Sequence, residues 1–142
     1  MAAWLKTFRE GNVLSPRKSP TDLPEIGGRF IFFEPLSLNS DGSPKLTRHG
    51  EPMGKPSYEV GDLIGGYWNG SYEVSEVWEV VGEPDTSELD GWAWETSVEL
   101  RSLRKPGVPL GDLAIRPKTL ARRVRLRLRP DQEALLESAF EL

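Results

Sequence analysis

Apolar and polar side chains alternate over several short stretches of this chain, and glycine and proline punctuate the intervals between them. The pattern predicts mostly strands. Residues 2–9, with Trp4, Leu5 and Phe8, read as a first short strand. Arg29 to Phe33 is an aromatic and β-branched run ended by Glu34-Pro35, a second strand. Leu63 to Trp68 is a third, in which Gly65 and Gly66 permit a bend or a close backbone approach. Asn69-Gly70 predicts a type I′ hairpin turn into the strand Ser71 to Val81. In that strand Tyr72, Val74, Glu76, Trp78 and Val80 form the core-facing set. Trp92, Trp94, Thr96, Val98 and Leu100 share one parity against Glu95, Ser97, Glu99 and Arg101, as in a half-buried antiparallel strand. Pro106 to Pro109 then reads as loop, and Leu110 to Ala114 as one helical turn. Over 122–129, Arg123, Arg125, Arg127 and Arg129 oppose Val124, Leu126 and Leu128. Pro130 and Asp131 open a closing helix whose apolar face is Leu135, Leu136, Ala139 and Phe140.

Between the strands, residues 10–28 and 36–58 are rich in Gly, Pro, Ser and Asn and are expected to be mobile loops. The second, at more than 20 residues, is either a functional flap or disordered. The whole describes a single α+β domain over residues 1–142. Five to six strands with one or two short helices form a small twisted sheet closing toward an open barrel.

Composition narrows the chemistry. At 142 residues the chain fits one core. With no cysteine there is no disulfide, thiolate zinc site or thiol nucleophile, and one histidine excludes any two-histidine metal site. That histidine, His49, lies in a loop sequence, and no Gly-x-Ser-x-Gly is present. A binding role is therefore expected rather than catalysis, without metal or cofactor. The remaining catalytic alternative is a hydrolase or nuclease using carboxylates such as Glu95 and Glu99. No run approaches the ~20 apolar residues of a spanning helix, and residues 1–9 do not resemble a signal peptide, so a cytoplasmic location without membrane contact is expected.

The net charge of −4 conceals a segregation. Residues 71–100 carry nine acidic side chains and no Lys or Arg, whereas residues 101–129 carry ten basic ones against Asp112 alone. Such a chain can present a basic face despite an acidic balance, or it can neutralise acidic and basic strands side by side in one sheet.

The succession from residue 60 onward is Val60-Gly61-Asp62-Leu63-Ile64, a strand with an aromatic end, and a strand closing Trp78-Glu79-Val80-Val81. A Pro/Asp loop, the strand Trp92 to Leu100, Val108-Pro109-Leu110, an Arg-Leu strand and Arg129-Pro130-Asp131-Gln132-Glu133 follow. This order and spacing resembles the EVE domains of the PUA-like superfamily over residues 60–142. Ala3 to Lys6 or Phe32 to Pro35 could stand for the strand with which such domains begin, and their Asn-Tyr-x-Ala-Arg-Asn segment has no counterpart. The Gly-x-Lys-x-x-Glu-x-Arg motif of the ASCH relatives is absent. The resemblance implies a PUA-like open barrel that binds DNA or RNA. It would hold a flipped or single-stranded, often modified, base between aromatic walls, where stacking is worth ~1–3 kcal/mol per base. Candidates for these roles are Tyr67 and Trp68 with Trp94 or Trp4 as an opposing wall, Asn69 and Ser71 as edge readers, and Arg122, Arg123, Arg125 and Arg127 on the phosphates. It also implies work beside a partner nuclease or RNA-processing protein. The competing reading is a non-catalytic protein-interaction module using the acidic 71–100 segment.

Overall fold

The computed structural model describes residues 1–8, 23–120 and 123–142. The strands are β1 (Ala3–Phe8), β2 (Arg29–Pro35), β3 (Leu63–Trp68), β4 (Glu73–Val80), β5 (Asp85–Thr86), β6 (Trp92–Pro109) and β7 (Arg125–Arg127). A 3-10 turn at Leu110–Leu113, the short helix α1 (Pro117–Leu120) and the closing helix α2 (Pro130–Ala139) complete the chain. The strands form one sheet in the order β2-β6-β4-β3-β1-β7, with β5 beside β6. Among the described residues, only the β1–β3 pair is parallel.

Both faces of this sheet are buried, each against its own core. On one face Leu5, Leu63, Tyr67, Val74, Val77 and Val108 pack with Leu110, Leu113, Leu128, Leu136 and Phe140, so α2 and the 3-10 turn cover that side. The other face curls inward and becomes the barrel interior: Trp4, Phe8, Phe32, Tyr58, Ile64, Trp68, Trp78, Val80, Val98 and Leu100. Register places Trp4, Lys6 and Phe8 of β1 opposite Ile64, Gly66 and Trp68 of β3. It places Phe30, Phe32 and Glu34 of β2 opposite Val98, Thr96 and Trp94 of β6. Although β1 and β2 are four places apart in the sheet, Lys6 reaches Glu34. The sheet has curled into an open barrel whose seam lies between its terminal strands, β2 and β7.

Two glycines are required by close approach. A Cβ on Gly66 would collide with the carboxylate of Glu76, and one on Gly107 would fall 2.8 Å from the Val74 carbonyl oxygen. Both mark places where strands or side chains crowd the curling sheet.

Several sequence expectations are corrected. β6 does not stop near Leu100 but runs 18 residues, pairing β2 over Trp92–Glu99 and β4 over Val98–Pro109. Its middle is exposed and carries two prolines in all, so it lacks the apolar alternation that marks a strand. In β4 the pairing shifts between Val74 and Glu76. The bulge sends Val74 to the helix-side core and Trp78 and Val80 to the barrel, so no single parity is buried, and Tyr72 is exposed. The Asn69-Gly70 turn is not type I′, because Asn69 lacks the positive φ that type requires. Gly70 at +87° and Tyr72 at +57° instead build a four-residue connection, with Ser71 N–H donating to the Trp68 carbonyl at 3.0 Å. On α2 Leu135 is exposed and Gln132 is buried in its stead. The Gln132 amide accepts from the Arg129 N–H and donates to the Ala114 carbonyl, both at 2.9 Å, which makes a polar residue suitable there.

Residues 36–58 form two successive hydrogen-bonded turns, bridged at Leu38–Pro44 and at Leu46–Pro52. Residues 10–22 of the first predicted loop, and Arg122, lie outside the described residues.

Candidate nucleic-acid interface

The alternation that builds β1 and β2 also places charge inside the barrel. Lys6 shares the parity of Trp4 and Phe8, and Glu34 that of Phe30 and Phe32, so both are carried inward with the aromatics. They are 1% and 4% exposed. Lys6 Nζ donates to Glu34 Oε1 at 3.0 Å and to the Phe33 carbonyl at 3.3 Å, with the Phe8 and Phe32 rings 5.7 and 5.9 Å away. Arg125 Nη1 meets the other carboxylate oxygen of Glu34 at 3.2 Å. One carboxylate therefore lies between two cations drawn from β1 and β7, across a seam that no backbone ladder closes. Removing two charges from water costs several kcal/mol per ion, and such a pair holds only because each partner satisfies the other.

A cleft of about 270 Å³ opens on the Glu34 and Arg125 side of this triad, lined by Glu34, Pro35, Ser37, Gly54, Arg123, Val124 and Arg125. Its size suits one flat heterocycle rather than a drug-sized ligand. The Gly54 carbonyl accepts from Arg125 at 3.4 Å, which ties the 36–58 turns to the rim. Among the described residues, two buried hydroxyls in this part of the barrel have no hydrogen-bond partner, Tyr58 Oη and Thr96 Oγ1. Burial, with a further push from the Glu34 charge, raises the Tyr58 hydroxyl well above the usual phenol range despite the opposing influence of Arg125. Tyr58 is thus a neutral donor beside a carboxylate. An orphaned buried hydroxyl normally costs about 1–3 kcal/mol; Tyr58 lies enclosed in the barrel and is not part of the cleft lining, so its hydroxyl is a cost the interior carries behind the cleft.

The remaining rim is also aromatic and anchored. Trp4 packs edge-on to Tyr58 at 5.2 Å, and the Arg127 guanidinium lies 5.7 Å over the Trp4 ring. Trp4 Nε1 donates to Asp62 Oδ2 at 3.0 Å. Burial pushes the Asp62 carboxyl up, but the Ala2 and Glu59 amides, the Trp4 indole and the N-terminal charge outweigh it and hold the group below its ordinary range. Trp94, the cross-strand neighbour of Glu34, donates to the Pro52 carbonyl at 3.1 Å and has Lys55 Nζ 5.2 Å over its ring.

Of the predicted site residues, Arg123 and Arg125 line the seam cleft, Arg127 lines a separate groove beside it, and Trp4 and Trp94 are buried in the barrel wall behind the seam. Trp68 faces the same interior but stacks on Phe8 at the far end of β1 and β3. Tyr67 points the other way into the helix-side core, since adjacent strand residues face opposite sides. Asn69 and Ser71 are exposed at the β3–β4 connection, with Ser71 Oγ donating to the Glu73 carbonyl. Trp78 is core, and Trp92 packs half-buried on Phe33. Lys6, Glu34, Tyr58 and Asp62 were not predicted as site residues. The available signal was a lysine and a glutamate at core parity, in Trp4-x-Lys6-x-Phe8 and Phe30-x-Phe32-x-Glu34.

Charge is segregated only in part: the basic residues of β6 lie beside the acidic β4, whereas the arginine row of β7 stays apart. β7 pairs with β1 alone and is not laddered to the acidic strands β4 and β6. Among the acids, Glu79 and Glu99 share Arg101, at 2.9 and 3.0 Å.

Searches against protein-family models and against curated proteins give no match. Solved structures do match along the whole chain. The NMR structure of Rpa0253 from Rhodopseudomonas palustris has TM-score 0.58 at 14% identity, covering 99% of this chain and 94% of that one. Human THYN1, solved in complex with 5-methylcytosine-containing DNA, has TM-score 0.56 at 13% identity, covering 100% and 99%. Atu2648 from Agrobacterium tumefaciens has TM-score 0.52 at 14% identity, covering 98% and 93%. The fold is a PUA-like open barrel. Identities this low establish the fold and nothing finer.

Proposed function

We propose that this chain is an EVE-type nucleic-acid-binding domain, a reader rather than a catalyst, that receives a flipped or single-stranded base at the β2–β7 seam. The observation that carries the reading is the buried Lys6–Glu34 pair joined at the seam by the half-buried Arg125, with Glu34 and Arg125 lining a basic cleft and the unpartnered Tyr58 hydroxyl enclosed in the barrel behind it. The Glu34 carboxylate at the cleft would accept from an exocyclic amine, and the enclosed Tyr58 phenol behind it has an unused donor for a ring nitrogen or carbonyl that reaches the interior. Arg123 and Arg125 then supply phosphate contacts at the mouth. Likeness of fold to THYN1, whose structure contains 5-methylcytosine DNA, makes a modified cytosine in DNA the first ligand to try. A partner nuclease or RNA-processing protein would use the recognition rather than contribute to it.

The test is a salt-titrated binding assay with short single- and double-stranded DNA and RNA, each plain and carrying one methylated base. Salt-sensitive binding that prefers one modified base is the expected result. Arg123→Glu should weaken binding to every probe, whereas Tyr58→Phe should reduce the preference more than the affinity. Absence of binding to every probe at low salt would overturn the reading. Capture of a basic partner protein through the acidic 71–100 segment would then become the account to pursue.

A further inference from the structure

We infer that a second groove further along β7 holds the phosphodiester backbone that flanks the bound base; this rests on the nucleic-acid reading above. The groove has a volume of about 670 Å³ and lies between the 3-10 turn, α1, β7 and the start of α2. Arg116, Arg127 and Arg129 line it with Thr119, over a floor that includes Ile115 and Leu126, and no carboxylate is part of the lining. Asp131 reaches Arg129 through two hydrogen bonds of 3.1 Å and partly offsets its charge. Among the described residues, Arg116 and Arg127 form no ion pair. The Gln132 amide is fully committed to the Arg129 N–H and the Ala114 carbonyl, so it shapes the groove and does not read a ligand.

Position selects the occupant. Arg123 and Arg125 line the seam cleft, and Arg127 and Arg129 line the groove. At ~3.3 Å per extended residue these four arginines, with Arg125 and Arg127 on β7 and the other two flanking it, span at most about 20 Å along the free outer edge of the sheet. Residues 115–129 hold seven basic side chains and no acid. A row of this length matches a polyanion with regularly spaced charges better than a single anion. The lining offers cations and a hydroxyl but, with Gln132 committed, no carboxylate or free amide to read a base edge, which suits the sugar-phosphate chain and not another base. The groove therefore contributes affinity and register, while the seam contributes selectivity.

The experiment compares the full chain with Arg116→Gln/Arg129→Gln, using the best modified-base probe at two lengths, one limited to the seam and one extending past it. The expected result on the longer probe is binding weakened about tenfold or more, with preference for the modified base unchanged. The slope of log affinity against log salt should become shallower by roughly 0.7–0.9 for each phosphate no longer neutralised. The seam-length probe should bind both proteins alike. Should the double variant melt early, Arg116→Gln alone serves, since Arg116 makes no ion pair among the described residues. Unchanged affinity and slope on the longer probe, or a weakening no larger than that of the control Arg104→Gln, would overturn the groove while the seam reading stands. Failure of the unsubstituted chain to bind any probe would overturn both.

Discussion

The two cores on either side of the sheet are built from different materials. The helix-side core is largely aliphatic, and the one buried polar side chain at its edge, Gln132, is spent on capping α2. The barrel interior is aromatic, with three tryptophans, and it holds Lys6, Glu34, Asp62, Glu76 and Thr96 in burial. An aliphatic core gains stability throughout its packing and has no chemistry to offer. The barrel gains from its aromatic edge packing, each ring pair worth about 0.5–1.5 kcal/mol beyond area burial, and gives some back by desolvating charge. Charges confined to one of two cores are hard to explain by stability, because an apolar replacement of similar volume would serve as well or better. They are readily explained if that core opens on a ligand.

The sharpest way to break this contrast is to remove one member of the triad. Glu34→Ala leaves the Lys6 ammonium buried without its carboxylate, and we expect a loss of about 3–5 kcal/mol in urea unfolding. Leu136→Ala in the helix-side core should cost a similar or slightly smaller ~2–5 kcal/mol. It should leave base preference untouched at temperatures where the variant is folded, which binding under native conditions will check. Gly66→Ala forces a methyl against the Glu76 carboxylate and should cost about 1–3 kcal/mol, read as a lowered melting temperature. The smallest effect is on acid stability. The folded Asp62 carboxyl titrates below its ordinary value, near 3.9 in an unfolded chain, so its contribution is present at neutral pH and lost as pH falls through that value toward the folded one. Urea midpoints measured from pH 6 downward should fall more steeply for the unsubstituted chain than for Asp62→Asn.

Much of the fold could be read from the chain because strand alternation is local. The tryptophans of β4 and β6, the arginine row of β7 and the proline-started helix α2 all announce themselves within a few residues. The middle of β6 could not be read, since Arg101 to Lys105 has a single apolar residue, Leu103, and no alternation, and its pairing is fixed by β4 instead. Of the proposed interface, Arg123, Arg125 and Arg127 were legible from charge periodicity, and Trp4 from its strand. Tyr67 is no pocket wall, because strand parity requires Tyr67 and Trp68 to face apart even though both lie beside the turn. Lys6 and Glu34 meet only because a sheet closes through strands that are not neighbours in it, and no local pattern encodes that closure.

The measurement that tests the central claim most directly replaces the ion pair by apolar side chains of similar length, Lys6→Met/Glu34→Met, and follows stability and modified-base binding in the same preparation. Stability should be maintained or rise by about 1–4 kcal/mol, because two buried charges no longer need compensation. Preference for the modified base should disappear, leaving weak salt-dependent binding through the remaining arginines. A double variant that is equally stable and still prefers the same base would contradict the account and reduce the triad to a staple across the barrel seam.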